Sequence, residues 1–245
     1  MKIRLDKLLL EKKIAPTRQK AQAMIAAGLV TVDNRTTDKA GALVEDSASI
    51  SVKETCPYVS RGGYKLAAGL AYFAINPAGL TCIDIGASTG GFTDCLLQNG
   101  AAKVYAVDVG YGQLAWELRR DQRVVVMERT NARYITSEDL EDLVDFAVID
   151  ASFISLKLLI PPLLHLFRGK ISILALIKPQ FEVGRGRVGK GGVVRDPDLH
   201  QKVIDEITVF ARSLGLKSRG VTSSPILGPK GNREFLIHLV SDENR

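Results

Sequence analysis

The chain has 245 residues, of which 46% are hydrophobic and 24% are charged, and its formal net charge is +6 at pH 7. This length and composition predict one large globular domain with a small companion, and they argue against wholesale disorder. The basic excess fits a polyanionic partner such as nucleic acid, although many ordinary proteins reach it too.

The three cysteines, Cys56, Cys82 and Cys95, are odd in number and lack the CxxC spacing of a zinc site. They indicate reduced thiols rather than a disulfide framework or a metal site. The N-terminus alternates charged residues with leucine, unlike a secretory signal, and the apolar stretch at 146–167 is interrupted by charges and two prolines. We therefore expect a cytoplasmic protein that binds no metal and no membrane.

The first 50-odd residues read as a separate unit. Apolar residues recur at helical spacing between Ile3 and Leu9, and Thr17 is placed to cap a second helix that stops at Gly28. Short strand-like runs follow at 29–33 and 49–52. A helix–helix–strand unit of this size has a thin core.

Beyond a linker at about 53–60, apolar β-branched runs alternate with helical patterns, which is typical of a parallel sheet with crossover helices. The predicted strands are TCIDI, KVYAVDV, RVVVME, VDFAVID, KISILALI, KSRGVTSS and EFLIHLV. The predicted helices fall near 61–74, 91–99, 113–119, 156–167 and 198–214. The last two strands are joined by a short loop, so we expect them to pair antiparallel. This order favours the α/β, Rossmann-like fold of class I methyltransferases, with a seven-stranded sheet.

The stretch CIDIGASTGGFTD, residues 82–94, places a glycine turn after the first predicted strand of this sheet. The GxGxxG fingerprint of dinucleotide binding fails, because Ser88 stands where its second glycine belongs. Asp84 before the turn and Asp108 after the next strand suit S-adenosylmethionine. A carboxylate can accept hydrogen bonds from the ribose hydroxyls of this cofactor, and its methionine end needs amide donors and a nearby carboxylate. The alternative is a plain strand-to-helix turn beside a solvated Asp108. The residues predicted to bind the cofactor are Asp84, Gly86, Ala87, Ser88, Thr89, Gly90, Gly91, Phe92, Asp108, Asn131 and Asp150.

Two sets of motifs resemble known families. Residues 4–41 look like an S4 RNA-binding domain, with departures at Thr17 and at Asp33–Asn34. The later motifs resemble the FtsJ-like 2′-O-methyltransferases, and they are SRGGYKL, DIGASTGGFTD, VDVGYGQL, IDASFISL, IKPQFEVGR, KGGVVRD and GNREFLI. With both sets of motifs, the chain is similar to the TlyA-type (hemolysin A) ribosomal RNA methyltransferases. The resemblance implies an S4-like domain over 1–58 and a methyltransferase domain over 59–245.

The same resemblance implies a catalytic tetrad of Lys65, Asp150, Lys178 and Glu234. Asp150 and Lys178 each end a strand run, and Glu234 begins the antiparallel last strand, so these three are expected at one sheet edge. Alternatively, Asp150 is a helix cap and Lys178 a solvent-facing strand end. Nothing in the sequence brings Lys65 to them.

The implied reaction is methylation of a ribose 2′-hydroxyl, of cytidine, in ribosomal RNA. The hydroxyl must lose its proton as it attacks the methyl group, and a lysine becomes a base when burial or a neighbouring cation lowers its pKa. We expect Lys178 to meet the hydroxyl and Lys65 to supply the neighbouring charge. Asp150 and Glu234 would orient the two ammonium groups, and positioning would add to the rate.

Basic residues are predicted to hold ribosomal RNA or a ribosomal subunit by phosphate contacts. They are Arg4, Lys7, Arg18, Lys20, Arg61, Arg185, Arg187 and Lys190. Two other functions stay open at this point: a non-catalytic RNA-binding or ribosome-assembly protein, and a membrane-acting hemolysin, which only the older family name suggests. The oligomeric state does not follow from the sequence.

Overall fold

The computed structural model describes residues 2–52, 56–189 and 191–241. Contacts between Cα atoms divide the chain into two compact units, Met1–Pro57 and Tyr58–Arg245. Part of the expected linker, residues 53–55, lies outside the described residues, as do Lys190 and the side chain of Arg185.

In its described residues, 2–52 and 56–57, the N-terminal unit combines two helices with five short strands. They are β1 (Lys2–Arg4), α1 (Leu5–Glu11), α2 (Arg18–Ala26), β2 (Val30–Val32), β3 (Arg35–Thr36), β4 (Leu43–Glu45) and β5 (Ile50–Val52). The Thr17 hydroxyl caps α2 by accepting from the Lys20 amide at 3.2 Å, as predicted. The first helix begins at Leu5 rather than at Ile3, because residues 2–4 pair with β4 instead.

A buried carboxylate ties the two helices of this unit together. Asp6 is fully buried on α1, and its oxygens accept from Arg4 Nε, from Arg18 Nε and from the Gln22 amide at 2.9–3.0 Å. The Arg4 guanidinium holds the pKa of Asp6 well below its usual range. The side chains of Arg4 and Arg18 remain 42% and 50% exposed, so their predicted RNA contacts would use the remaining N–H groups.

The C-terminal unit is built on a seven-stranded sheet. Its strands are β6 (Thr81–Ile85), β7 (Lys103–Val107), β8 (Val124–Met127), β9 (Phe146–Ile149), β10 (Ser172–Ile177), β11 (Leu216–Ser223) and β12 (Phe235–Ser241). Their spatial order is β11-β12-β10-β9-β6-β7-β8, and β12 is antiparallel to both of its neighbours. This confirms the predicted class I fold and the antiparallel pairing of the last two strands.

Helices cover both faces of this sheet. They are α3 (Gly62–Tyr72), α4 (Gly91–Gln98), α5 (Trp116–Arg119), α6 (Leu156–Leu163), α7 (Pro179–Glu182) and α8 (Pro197–Ser213). One core cluster includes α6 and α8, and a second includes α3, α4 and α5. Strand residues alternate between the two clusters, as Ile173 and Ala175 face one and Leu174 and Leu176 the other. Among the described residues, no helix is both long and apolar enough to cross a bilayer.

Helix α3 lies unusually close to the sheet at Gly69. A Cβ atom there would stand only 2.8 Å from Leu174 Cδ2 on β10. The missing side chain therefore lets α3 settle onto the strands, and it brings the buried Lys65 of the same helix toward the carboxyl edge of the sheet.

Replacing Asp6 with alanine should destabilise the N-terminal unit by about 1–2 kcal/mol at pH 7, because buried charge-assisted hydrogen bonds are lost while the two arginines stay partly solvated. Hydrogen exchange of the α1 and α2 amides in the full-length chain would measure this change. The exposed Asp38 of the same unit gives the matched control, Asp38→Ala, which should leave exchange unchanged. Equal exchange in both variants would contradict the role given to Asp6.

Candidate active site

Two adjoining cavities open at the carboxyl edge of the sheet. The first, of about 510 Å³, is lined by Asp108 and is called the Asp108 cavity, and the second, of about 430 Å³, is the Lys65 cavity. They share four lining residues, which are Gly86, Ser88, Asp150 and Ser152. The chain passes from β6 to β7 on one side and later returns to β9 on the other, so the cavities lie at the switch point where α/β sheets bind ligands.

The glycine turn is held to its neighbours by backbone contacts. Gly86 has φ +85°, and a Cβ atom there would lie 2.9 Å from the Asp150 carbonyl oxygen. The amides of Gly86 and Ala87 both donate to the Val107 carbonyl, at 2.9 and 3.1 Å. These two amides are thus used within the protein, although the sequence suggested amide donors for a ligand.

Asp108 is fixed by two backbone amides. Its oxygens accept from Ser88 N at 2.8 Å and from Gly110 N at 2.7 Å. Ser88 adopts φ +49°, a conformation usually left to glycine, and this directs its amide to the carboxylate. A carboxylate offers about four lone-pair sites, so Asp108 keeps about two for a ligand in its cavity. Asn131, which was also predicted to bind the cofactor, lines the same cavity.

Asp84 lies behind the turn and not in either cavity. It is fully buried, and its Oδ2 accepts from the amide and the hydroxyl of Thr93 at 2.9 and 2.7 Å. Burial raises the pKa of Asp84 to about 7. Gly90 also lines neither cavity and packs against Leu118. Four more of the residues predicted to bind the cofactor, besides Gly86, Ser88 and Asp150, line the Lys65 cavity. These four are Ala87, Thr89, Gly91 and Phe92.

The structure brings all four predicted tetrad residues together. Lys65 Nζ donates to Glu234 Oε2 at 2.6 Å and stands 3.8 Å from Asp150 Oδ2. Lys178 Nζ lies 2.5 Å from Asp150 Oδ1. Lys65, Lys178 and Glu234 are buried, and the Asp150 side chain is 18% exposed. Asp150 therefore lies between the two ammonium groups.

One neighbour of the tetrad was not predicted from the sequence. Lys178 Nζ donates to the Ser152 hydroxyl at 3.0 Å and to the Asp150 carbonyl oxygen at 3.3 Å. Within the described residues, Glu234 Oε1 is buried without a hydrogen-bond partner. The segment 226–229, which also lines the Lys65 cavity, was not predicted either, because it has no repeating pattern.

Exposed aromatic side chains follow the strands that end near the Asp108 cavity. Phe153 is 90% exposed and lines that cavity, and Tyr111 is 69% exposed beneath the Arg129 guanidinium, 4.1 Å from the ring centroid. Trp116, on α5, is 71% exposed. Aromatic residues in loops after parallel strands were the available signal for these positions.

The predicted RNA-binding residues are spread over the two units. Lys7, Lys20 and Arg187 are exposed, and Arg61 lines the Lys65 cavity while donating to the Leu227 carbonyl at 3.5 Å. Lys190 lies outside the described residues. In the described ranges, no three His, Cys, Asp or Glu side chains are grouped as metal ligands would be.

The sheet order, the glycine turn at its switch point and the carboxylate after the second strand define a class I methyltransferase. Sequence comparison agrees, since the chain matches the FtsJ-like methyltransferase family over residues 58–241 and the S4 domain over 3–50. The chain therefore belongs to the FtsJ-like methyltransferases and, within them, to the TlyA (hemolysin A) family.

Individual relatives show how far this likeness extends. The 16S/23S rRNA (cytidine-2′-O)-methyltransferase TlyA of Mycobacterium tuberculosis is 47% identical over 99% of this chain and 91% of its own length. A solved structure from Streptococcus thermophilus, named as a hemolysin, has a TM-score of 0.77 at 46% identity, covering 99% of this chain and 89% of the other. The magnesium protoporphyrin IX methyltransferase of Synechocystis shares the fold, with a TM-score of 0.50 at 14% identity over 74% of this chain and 82% of the other.

Replacing Asp84 with asparagine should flatten the pH dependence of stability. Since the pKa of Asp84 rises from an ordinary value near 4 to about 7 on folding, its stabilising contribution is complete below about pH 4 and is lost as pH rises through about 7. The melting temperature of the wild type minus that of Asp84→Asn should therefore fall between pH 5 and pH 8. A constant difference across that range would show that Asp84 ionises alike in both states.

Proposed function

We propose that this protein transfers a methyl group from S-adenosylmethionine to the 2′-hydroxyl of a cytidine in ribosomal RNA. The observation that supports this most is the meeting of Lys65, Asp150, Lys178 and Glu234 in one ion-pair network, in which Asp150 lines both cavities. The relative in M. tuberculosis is named for this reaction, and the FtsJ-like match covers the whole sheet.

The Asp108 cavity suits S-adenosylmethionine. Asp108 has lone pairs left for the two ribose hydroxyls, and Asn131 lines the same cavity. Gly86 packs directly against the backbone at Asp150, which fixes the shape of the turn, and the Asp150 carboxylate nearby complements a sulfonium charge. When bound, the cofactor supplies an electrophilic methyl group.

The tetrad would orient and deprotonate the RNA hydroxyl. Lys178 is held by Asp150 and Ser152 at the wall that both cavities share, so its Nζ can meet a hydroxyl entering from the Lys65 cavity. As a neutral amine, Lys178 would take the hydroxyl proton while the oxygen bonds to the methyl carbon and the carbon–sulfur bond breaks. Lys65, held by Glu234, places a second cation beside Asp150. Most of the rate enhancement over the uncatalysed reaction would then come from positioning and proton transfer.

The RNA would be held by phosphate contacts and by stacking. We propose that residues 1–58 act as an S4 RNA-binding domain and residues 59–245 as the catalytic domain. Exposed Lys7, Lys20 and Arg187 can neutralise phosphates. Exposed Phe153 and Tyr111 can stack on unpaired bases, as aromatic side chains do in RNA recognition. An enzyme with a ribosomal substrate would act in the cytoplasm.

Replacing Lys178 with alanine should lower methyl transfer by about 100-fold or more, because the acceptor of the hydroxyl proton is lost. The measurement is transfer of tritiated methyl groups to ribosomal subunits, with cofactor binding followed by calorimetry. Lys170, exposed just before the same strand β10, gives the matched control Lys170→Ala. Substantial turnover by Lys178→Ala with normal cofactor binding would contradict the catalytic role of Lys178. If the wild type bound RNA but transferred no methyl group, the non-catalytic RNA-binding or ribosome-assembly function would be favoured instead.

Replacing Gly86 with alanine should weaken cofactor binding by about tenfold or more, because the added methyl group meets the backbone at Asp150 and displaces the turn. Gly79→Ala is the matched control for Gly86→Ala, since Gly79 has φ +75° but nothing lies within 4 Å of the position that its Cβ atom would take. Both variants bear the strain of a positive φ, about 1 kcal/mol. Calorimetric titration with S-adenosylmethionine would reveal the difference, and equal affinities would refute the proposed placement of the cofactor.

A further inference from the structure

Ser152 occupies the wall between the two cavities. It is exposed, it lines both the Asp108 cavity and the Lys65 cavity, and its hydroxyl lies 3.0 Å from Lys178 Nζ. The tetrad pattern does not include it. Its position raises the question of what a hydroxyl adds beside a lysine that already has a carboxylate partner.

The contacts of Lys178 differ in what they can do. The Asp150 carboxylate attracts the ammonium by charge, and the Asp150 carbonyl accepts a hydrogen bond at 3.3 Å. Both of these groups only accept protons in hydrogen bonds, whereas a serine hydroxyl can accept or donate. The Ser152 bond is also shorter than the bond to the Asp150 carbonyl.

A lysine that takes a proton from a hydroxyl passes through two states. As a neutral amine it offers two N–H groups and a lone pair, and as an ammonium it offers three N–H groups. The Asp150 oxygens can bond only to N–H groups of Lys178. The Ser152 hydroxyl can accept from the ammonium and, after rotating, donate to the amine, so its bond persists in both states.

We propose that Ser152 is a positioning residue for the methyl transfer, acting through Lys178. Its hydroxyl holds Nζ at the boundary of the two cavities before and after the proton moves. In the transfer itself the 2′-oxygen bonds to the methyl carbon, the carbon–sulfur bond breaks with its electron pair left on sulfur, and the hydroxyl proton ends on Lys178. This role rests on the proposed function.

The folding of this loop depends on other contacts. The Ser155 hydroxyl donates to Glu182 Oε2 at 2.5 Å and accepts from the Lys157 amide, and the Leu156 amide donates to Glu182 Oε1 at 2.8 Å. These bonds cap α6 and fasten it to α7. Ser152 is exposed, so its hydroxyl can be removed without opening the core.

Three variants separate the role of the hydroxyl from a structural effect. Ser152→Ala should lower kcat about tenfold, with the KM for ribosomal subunits and the affinity for S-adenosylmethionine within about twofold of the wild type. Ser152→Thr, which keeps the hydroxyl, should restore kcat to within about threefold. Ser155→Ala removes a hydroxyl from the same loop and should lower the melting temperature without the tenfold loss in kcat.

A second measurement does not depend on turnover. Limited acetylation followed by mass spectrometry should label Lys178 faster in Ser152→Ala than in the wild type or Ser152→Thr, because one of its hydrogen bonds is gone. Unchanged labelling would show that the contact does not hold Lys178 in solution, and unchanged kcat would show that the contact does not serve the reaction. Either result overturns the proposal, as would equal losses of kcat in Ser152→Ala and Ser152→Thr. Altered labelling with no methyl transfer by the wild type would instead refute the proposed function, and the catalytic role of Ser152 with it.

Discussion

The structure depends on pairing four ionisable side chains in a nearly dry space at one edge of the sheet. A buried ammonium or carboxylate without a partner is costly, and removing one member of a buried pair leaves that cost uncompensated. Lys65 on α3 therefore needs Glu234, and Lys178 needs Asp150. Because these residues come from four separate elements, the pairing fixes the helix and the three strands relative to one another. The site is thus part of what holds its own scaffold in register.

The reversed direction of β12 makes this pairing possible. Parallel strands β9 and β10 end at the edge where Asp150 and Lys178 follow them, and an antiparallel strand begins there. Ile177 on β10 lies opposite Phe235 on β12. Lys178 follows Ile177 and Glu234 precedes Phe235, so the antiparallel register makes Lys178 and Glu234 neighbours. The strand register alone thus places two of the four tetrad residues next to each other.

Much of this could be predicted from the sequence, and the failures have identifiable physical causes. The seven strands and their final antiparallel pair follow from apolar runs and a short loop. The tetrad itself came from the family resemblance, and the ends of those runs predicted only that three of its residues share one sheet edge. Lys65 could not be placed, because its approach depends on the close packing of α3 at Gly69, which no periodicity reveals. Asp84 was expected to touch a ligand, whereas burial turns it inward to Thr93. Strands of two or three residues in the N-terminal unit are too short to show a pattern.

Rigid backbone and exposed aromatic rings at the site indicate the size of its substrates. Backbone bonds to Asp108 and Val107 fix the shape of a cavity that fits a small molecule. Phe153 lines the same cavity and is 90% exposed, and Tyr111 follows β7 and is 69% exposed. Exposed aromatic rings add little to folding and can stack on the unpaired bases of an RNA chain. They therefore favour a macromolecular methyl acceptor over a free metabolite.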